Sequence, residues 1–239
     1  MKIKFETLKK FLDLAKEAKR KYRAMRPDQI RLTISSGNAK IGKVLNVSLL
    51  PVHTCGHCKE CKQYCYDVRD CLRFPGNVLD ARVKNTVLME RDINRYFDQI
   101  DDKMSRRRKN KYFRWHVGGD IPSALYFDLM IKTAKKHPDF IMWTYTKEYD
   151  TVNEFVRKHG GNRFKAIPSN LAIMFSEWDG VKIDNPYDFP VFSTRLTGGN
   201  KNHSDDYFEG LHKCPGACKI CLESGHGCPF GESTYNDEH

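Results

Sequence analysis

Long apolar runs are missing from this sequence. No stretch reaches the roughly 18 residues that a membrane-spanning helix needs, which excludes a helical membrane protein and a membrane partner. The opening stretch MKIKFETLKKFLDLAKEAKRK also lacks an apolar core and a small-residue cleavage site, so nothing routes the chain to an oxidising compartment. A cytoplasmic location is expected. The nine cysteines are odd in number, and without such a route a disulfide framework accounts for them poorly. No internal repeat or low-complexity tract stands out, and no recognised nucleic-acid-binding motif is present.

What is present suffices for a globular core. The chain has 239 residues, 40% apolar and 12% aromatic, enough for one large domain or a domain with a small appendage. Lys and Arg number 41 against 30 Asp and Glu, a net charge of +11 that biases the surface toward polyanions. The basic residues gather in two places. One is an amphipathic helix expected over residues 5–25, with Phe5, Leu8, Leu12 and Ala15 as its inner stripe and Lys9, Lys10, Lys16, Lys19, Arg20, Lys21 and Arg23 around it. The other is the loop Ser105–Lys111.

The cysteines carry the most chemical information. Cys55, Cys58, Cys61 and Cys65 follow C-x2-C-x2-C-x3-C, a spacing that lets one tight loop place thiolates on successive corners of an iron–sulfur cubane. Cys214, Cys218, Cys221 and Cys228 form a second group, and Cys71 is the candidate spare. One or two 4Fe-4S clusters are the reading the spacing favours. Structural zinc is the alternative, with Cys55 and Cys58 pairing with Cys218 and Cys221 across the fold. His53 and His57 flank the first loop as further donors.

Along the chain, strands are expected at Ile30–Ile34, Val44–Leu50, Tyr112–Val117, Phe140–Tyr145, Leu171–Phe175 and Pro190–Ser193. Between them lie a long helix after Asn77, with Met89, Ile93, Tyr96, Phe97 and Ile100 on its inner face, one capped by Ser123 and ending at Lys136, and a short one at 152–158. This alternation of strand and helix predicts α/β architecture: a parallel (β/α) barrel or partial TIM-like barrel. The expected organisation is residues 1–43 as N-terminal helix and short strand, 44–196 as barrel core, and 197–239 as a cysteine-rich loop segment packed on it.

In parallel α/β folds, reactive groups collect where strands end. The first cysteine group, Gly118-Gly119-Asp120, Thr146-Lys147, and Arg195 with Thr197 each follow a different expected strand, so all should share one rim. Asp120, Lys147 and Arg195 are the catalytic candidates, with Arg114, His116 and Tyr145 beside them.

A cysteine loop after the first barrel strand and a Gly-Gly-acid turn after the second resemble the radical S-adenosylmethionine superfamily. That likeness implies that Gly118, Gly119 and Asp120 hold the amino group of S-adenosylmethionine. The superfamily spacing C-x3-C-x2-C falls on Cys214, Cys218 and Cys221 and not on the first loop. A second likeness covers more of the chain. GNAKIGKVLNVSLLPVHTC, then CYD at 65–67, FPGNVLDARVKN, FRWHVGGDI and FIMWTYTK resemble, in order, the phage gene product eighty-eight family. It implies a phage protein working in the bacterial host cytoplasm. Two functions follow as expectations. One is an iron–sulfur protein, either an electron carrier with a redox partner or a radical-type enzyme. The other is a zinc-stabilised protein that binds nucleic acid through its basic surface.

Overall fold

The computed structural model describes residues 2–37, 42–56, 61–196, 198–199, 201–214 and 233–237. Helix α1 spans Phe5–Arg23. Its buried face is Phe11, Ala15, Lys19 and Tyr22, which overlaps the expected stripe only in part: Ala15 is buried and Leu8 packs against the core, while Phe5 is 75% exposed and Leu12 46% exposed. The spacing is helical in both readings. The choice of face is set by what α1 packs on, namely α3 (Asp80–Arg91). That partner supplies Asp80, which accepts from the Tyr22 hydroxyl at 2.6 and 2.7 Å, and Glu90, which takes Lys19 at 3.0 Å. Lys19, expected on the solvated basic face, is therefore buried.

The expected strand at Ile30–Ile34 does not form. Side-chain amides replace a strand partner: Leu32 N–H donates to Gln99 Oε1 at 2.9 Å and Thr33 N–H to Asn85 Oδ1 at 2.8 Å. Asn85 also donates to the carbonyls of Thr33 and Ser48. Buried backbone groups need partners, and here two helices supply them. Only Ser35 bridges, antiparallel, to Asn46.

Seven strands form one all-parallel sheet. They are β1 (Leu45–Val47), β2 (Tyr112–Trp115), β3 (Ile141–Thr146), β4 (Leu171–Ser176), β5 (Val191–Arg195), β6 (His212–Lys213) and β7 (Thr234–Asp237), in the order β1-β2-β3-β4-β5-β7-β6. β6 and β7 fall where only loop was expected. These pairings leave β1 and β6 as edges, so they establish a parallel α/β sheet without the barrel closure. Successive crossovers in one direction place the connecting helices on one face. That face supplies Leu45, Val47, Phe113, Trp115, Met142, Ile173 and Phe175 to the main core, packed against Phe11, Tyr96, Tyr126, Phe127 and Val156 from helices.

The long helix expected after Asn77 is two. A π-helical turn at Pro75–Leu79 runs into α3, and Asp92 then breaks the chain and caps α4 (Ile93–Ser105) by accepting from Arg95 N–H at 2.9 Å. Ser123 caps α5 (Ala124–Lys136) in the same way through Tyr126 N–H. Helix α2 (Tyr66–Arg73), α6 (Tyr149–Lys158), α7 (Arg163–Ala166) and α8 (Asp205–Glu209) complete the described elements. Among the described residues no helix is long and apolar enough to cross a membrane.

Candidate functional site at the strand-end rim

The first cysteine segment lies across the C-terminal ends of β2, β3 and β4. Three contacts fix it there. Gly56 N–H donates to Glu148 Oε1 at 2.6 Å, just past β3. The Tyr64 ring meets the Trp178 ring past β4, centroids 5.4 Å apart. The Tyr66 hydroxyl donates to the Val117 carbonyl past β2. Beneath the segment, the Tyr149 hydroxyl is in electrostatic range of Asp120, Glu177, Cys61 and Glu148, and this charge adds to burial in pushing its pKa up.

Cys55, Cys61 and Cys65 are half-buried thiols outside any disulfide, as is Cys214. Cys61 opens a 3-10 turn, Cys61–Gln63. Cys65 is the residue that precedes α2, with no side-chain capping bond. Burial pushes its thiol up to about 12, with help from Cys61 and Asp67 and against the nearby backbone amides of Val68 and Asp67. Cys71, the expected spare, sits on α2 inside the main core, fully buried. Cys214 follows β6, so the parallel sheet delivers it to the same rim; its N–H donates to Tyr235 O at 2.7 Å. Cys58, Cys218, Cys221, Cys228, His57 and Thr197 lie outside the described residues. Among the described residues, no three His, Cys, Asp or Glu side chains gather closely enough to hold a metal ion. His53, expected as a possible donor, instead contacts Glu90 at 2.6 Å and Lys19 at 2.7 Å.

Gly118 and Gly119 are glycines for a steric reason. A Cβ on Gly118 would lie 1.6 Å from Asp67 Oδ2, and one on Gly119, where φ is +77°, would lie 2.6 Å from Thr54 Oγ1. The close neighbours belong to the cysteine segment, so the Gly-Gly pair lets that segment approach β2. Asp67, 2% exposed, is held by Arg82 through bonds of 3.0 and 3.1 Å, which ties α2 to α3.

Asp120 is buried and bonded through both oxygens: Thr146 Oγ1 at 2.6 Å and Ile121 N–H at 2.8 Å to one, Lys147 N–H at 2.8 Å to the other. Burial raises its pKa and those bonds oppose the rise. It joins the ends of β2 and β3. The Lys147 ammonium donates to Ser176 Oγ at 2.9 Å, linking β3 to β4. Arg195 pairs with Asp237 of β7 at 2.7 and 2.9 Å and stacks over Tyr235. The three expected catalytic residues thus share one rim but not one point.

Three rim residues escaped the sequence reading. Glu148 and Tyr149 directly follow Thr146-Lys147 and were legible by that position alone. Glu177, following β4, accepts from Ser193 Oγ at 2.6 Å and Asn202 Nδ2 at 3.2 Å and contacts His203 Nε2 at 2.8 Å, while His203 stacks on Tyr207. This fastens residues 202–207 to the rim; no local pattern foretells it.

No curated protein and no solved structure matches the chain. The likeness to radical S-adenosylmethionine barrels, drawn from the cysteine loop and the Gly-Gly-acid turn, is not supported: among the described residues the strand pairings leave two edges and show no barrel closure. The phage-family likeness fares differently. A model of one family, described as Gene product 88, matches residues 15–189. That span holds the first cysteine segment, the Gly-Gly-Asp turn and strands β1 to β4, well over half of the sequence, and the chain belongs to the Gene product 88 family.

Proposed function

We propose that this chain is an iron–sulfur protein whose cluster sits on the strand-end rim, held by Cys55, Cys58, Cys61 and Cys65, and that it passes electrons to a redox partner. Cys214, Cys218, Cys221 and Cys228 are the donors for a second cluster. The observation that carries the reading is the sulfur of Cys65. It is half-buried at the N-terminus of α2, near the backbone amides of Val68 and Asp67 and in electrostatic range of Cys61. Burial opposes a bare thiolate there, whereas amide donors and the positive end of a helix favour a sulfur made anionic by coordination. Bound inorganic iron and sulfide would supply one-electron chemistry; the chain supplies thiolates, backbone amides near the Cys65 sulfur and partial exclusion of water, the features that tune such centres. Electron transfer is favoured over cleavage of S-adenosylmethionine because Asp120, the residue for its amino group, already has donors on both oxygens.

The test is anaerobic purification followed by iron and acid-labile sulfide analysis, with electron paramagnetic resonance with and without S-adenosylmethionine. Iron and sulfide in similar amounts, lost in Cys58→Ala and Cys65→Ser, support the proposal. Zinc without sulfide overturns it and favours the zinc-stabilised nucleic-acid reading. The exposed lysines and arginines of α1 would then carry the binding, and affinity for polynucleotide would fall steeply with salt.

A further inference from the structure

Phe5 and Leu12 stand on the outside of α1 although both are large and apolar. Helical spacing puts them on one stripe with Lys9 and Lys16, both exposed, at i, i+4, i+7 and i+11. The helix layer holds an opposite feature. Helix α1 packs on α3, α3 on α4, α4 on α5 and α5 on α6, so α1 lies at one end of a row and α6 toward the other. Between α5 and α6 opens a groove of about 390 Å³. We infer that this groove receives the α1 stripe of a second copy of the chain, so that copies associate head to tail.

The groove has room, access and complementary chemistry. Its floor is Phe127 and Phe155, rings edge to face with centroids 5.1 Å apart, while Asp150 and Lys158 at its margin are exposed. Leu125, next along α5, is 55% exposed. An aromatic floor suits the edge or face of an inserted ring, and Phe5 is the ring that α1 presents. The walls carry three carboxylates, Asp128 from α5 and Asp150 and Glu154 from α6, against the one ammonium of Lys158. On a chain of net charge +11 this is a place where the sign reverses. Glu154 is occupied within its own helix, by Arg157 at 2.7 Å and Lys158 at 3.3 Å, so Asp128 on the facing wall is the carboxylate for Lys9. An apolar centre ringed by opposite charges is the make-up of a protein interface. The stripe and the groove differ and lie apart on the same chain, so each contact leaves one of each free for the next copy. Neither surface includes a cysteine, and the inference stands apart from iron content.

Sedimentation velocity of the purified full chain, over a range of protein concentrations at low and high salt, tests this. Assemblies should grow past the dimer as concentration rises and recede as salt screens the charged rim. Phe5→Ser should weaken association on the order of 10- to 30-fold, as loss of an interface anchor does. Asp128→Lys should weaken it at least about tenfold by setting one ammonium against another. The decisive sample mixes the two variants. Phe5→Ser keeps its groove and Asp128→Lys keeps its stripe, so together they should form a one-to-one dimer that grows no further. Circular dichroism checks that each is folded, and Thr151→Arg, which fills the groove from the α6 wall, replaces Asp128→Lys should that variant fail to fold. A chain that stays monomeric at every concentration in low salt leaves the groove to some other cationic partner and overturns the inference. Association that both variants retain, or a mixture that does not pair, is equally fatal.

Discussion

The backbone N–H of Gly56 and the carboxylate of Glu148 meet at 2.6 Å although 92 positions separate them. This bond, beside Cys55, fixes the height of the cysteine segment above β3. Glu148 is buried but Gly56 is exposed, so water can reach the N–H that loss of the bond would free.

Glu148→Ala should therefore destabilise the fold by only about 0.5–1.5 kcal/mol, whereas Glu148→Gln, which keeps an acceptor oxygen, should cost less. Urea denaturation of both variants gives the comparison. Under the proposed function, Glu148→Ala should also lose iron faster in air than Glu148→Gln does. Equal stability of the two would remove the bond from the account.

The Asp67–Arg82 pair carries a larger stake. Arg82→Met alone strands a buried carboxylate and should cost about 3–5 kcal/mol, and the joint replacement Asp67→Leu with Arg82→Met should recover much of that loss. Gly118→Ala should be as damaging as Arg82→Met, since its Cβ would overlap the Asp67 carboxylate. Thermal melts of the four proteins order them.

His116 sets a pH dependence. Burial first, and the Arg114 charge second, pull its pKa from the usual 6.5 down to about 3, so the folded chain holds it neutral. Between those limits the unfolded chain binds the extra proton. The contribution of His116 is thus full above pH 6.5 and is lost as pH falls toward about 3. His116 has φ +52°, a backbone conformation that Asn tolerates better than most residues. In His116→Asn the fall in urea midpoint between pH 6.5 and 4 should be shallower than in the unaltered protein; parallel curves would assign the slope to other groups.

Asn85 offers a purely structural check. Its amide serves the backbone of Thr33 twice and Ser48 once, and it is 1% exposed. Asn85→Ala should cost on the order of 2–3 kcal/mol by leaving those groups unpaired. A variant within experimental error of the parent would mean that water replaces the amide.

Cys71 separates packing from ligation. Cys71→Ala removes a fully buried side chain from the core and should lower stability by roughly 1 kcal/mol while iron content holds. Cys65→Ser should do the reverse to iron. If Cys71→Ala empties the protein of iron, the donor assignment on this loop is wrong.

Some of this was legible residue by residue. β2, β3 and β4 could be read because each is a short apolar segment between capped helices, and Ser123 announces α5 in the sequence itself. α2 escaped notice because Tyr66–Arg73 follows so closely on the cysteines that it reads as part of their loop. Residues 30–34 misled for the opposite reason: they alternate like a strand, but Asn85 and Gln99 take the hydrogen bonds a strand would have made. Gly118-Gly119-Asp120 was found at the right place with a different role, since a glycine pair looks the same whether a ligand or a neighbouring chain segment needs the room.

The amino-acid order by itself determined that this chain alternates strand and helix, groups its thiols in two short stretches, and puts Asp120, Lys147 and Arg195 at or just beyond strand ends. These are local properties, set by periodicity, capping and spacing over a few residues. Folding decided the long-range matters: which side of α1 is inside, that β7 inserts beside β5, and that Glu148 receives Gly56. Each depends on groups dozens of positions apart competing for the same hydrogen bonds and the same dry space, and that competition is resolved only once the sheet is assembled.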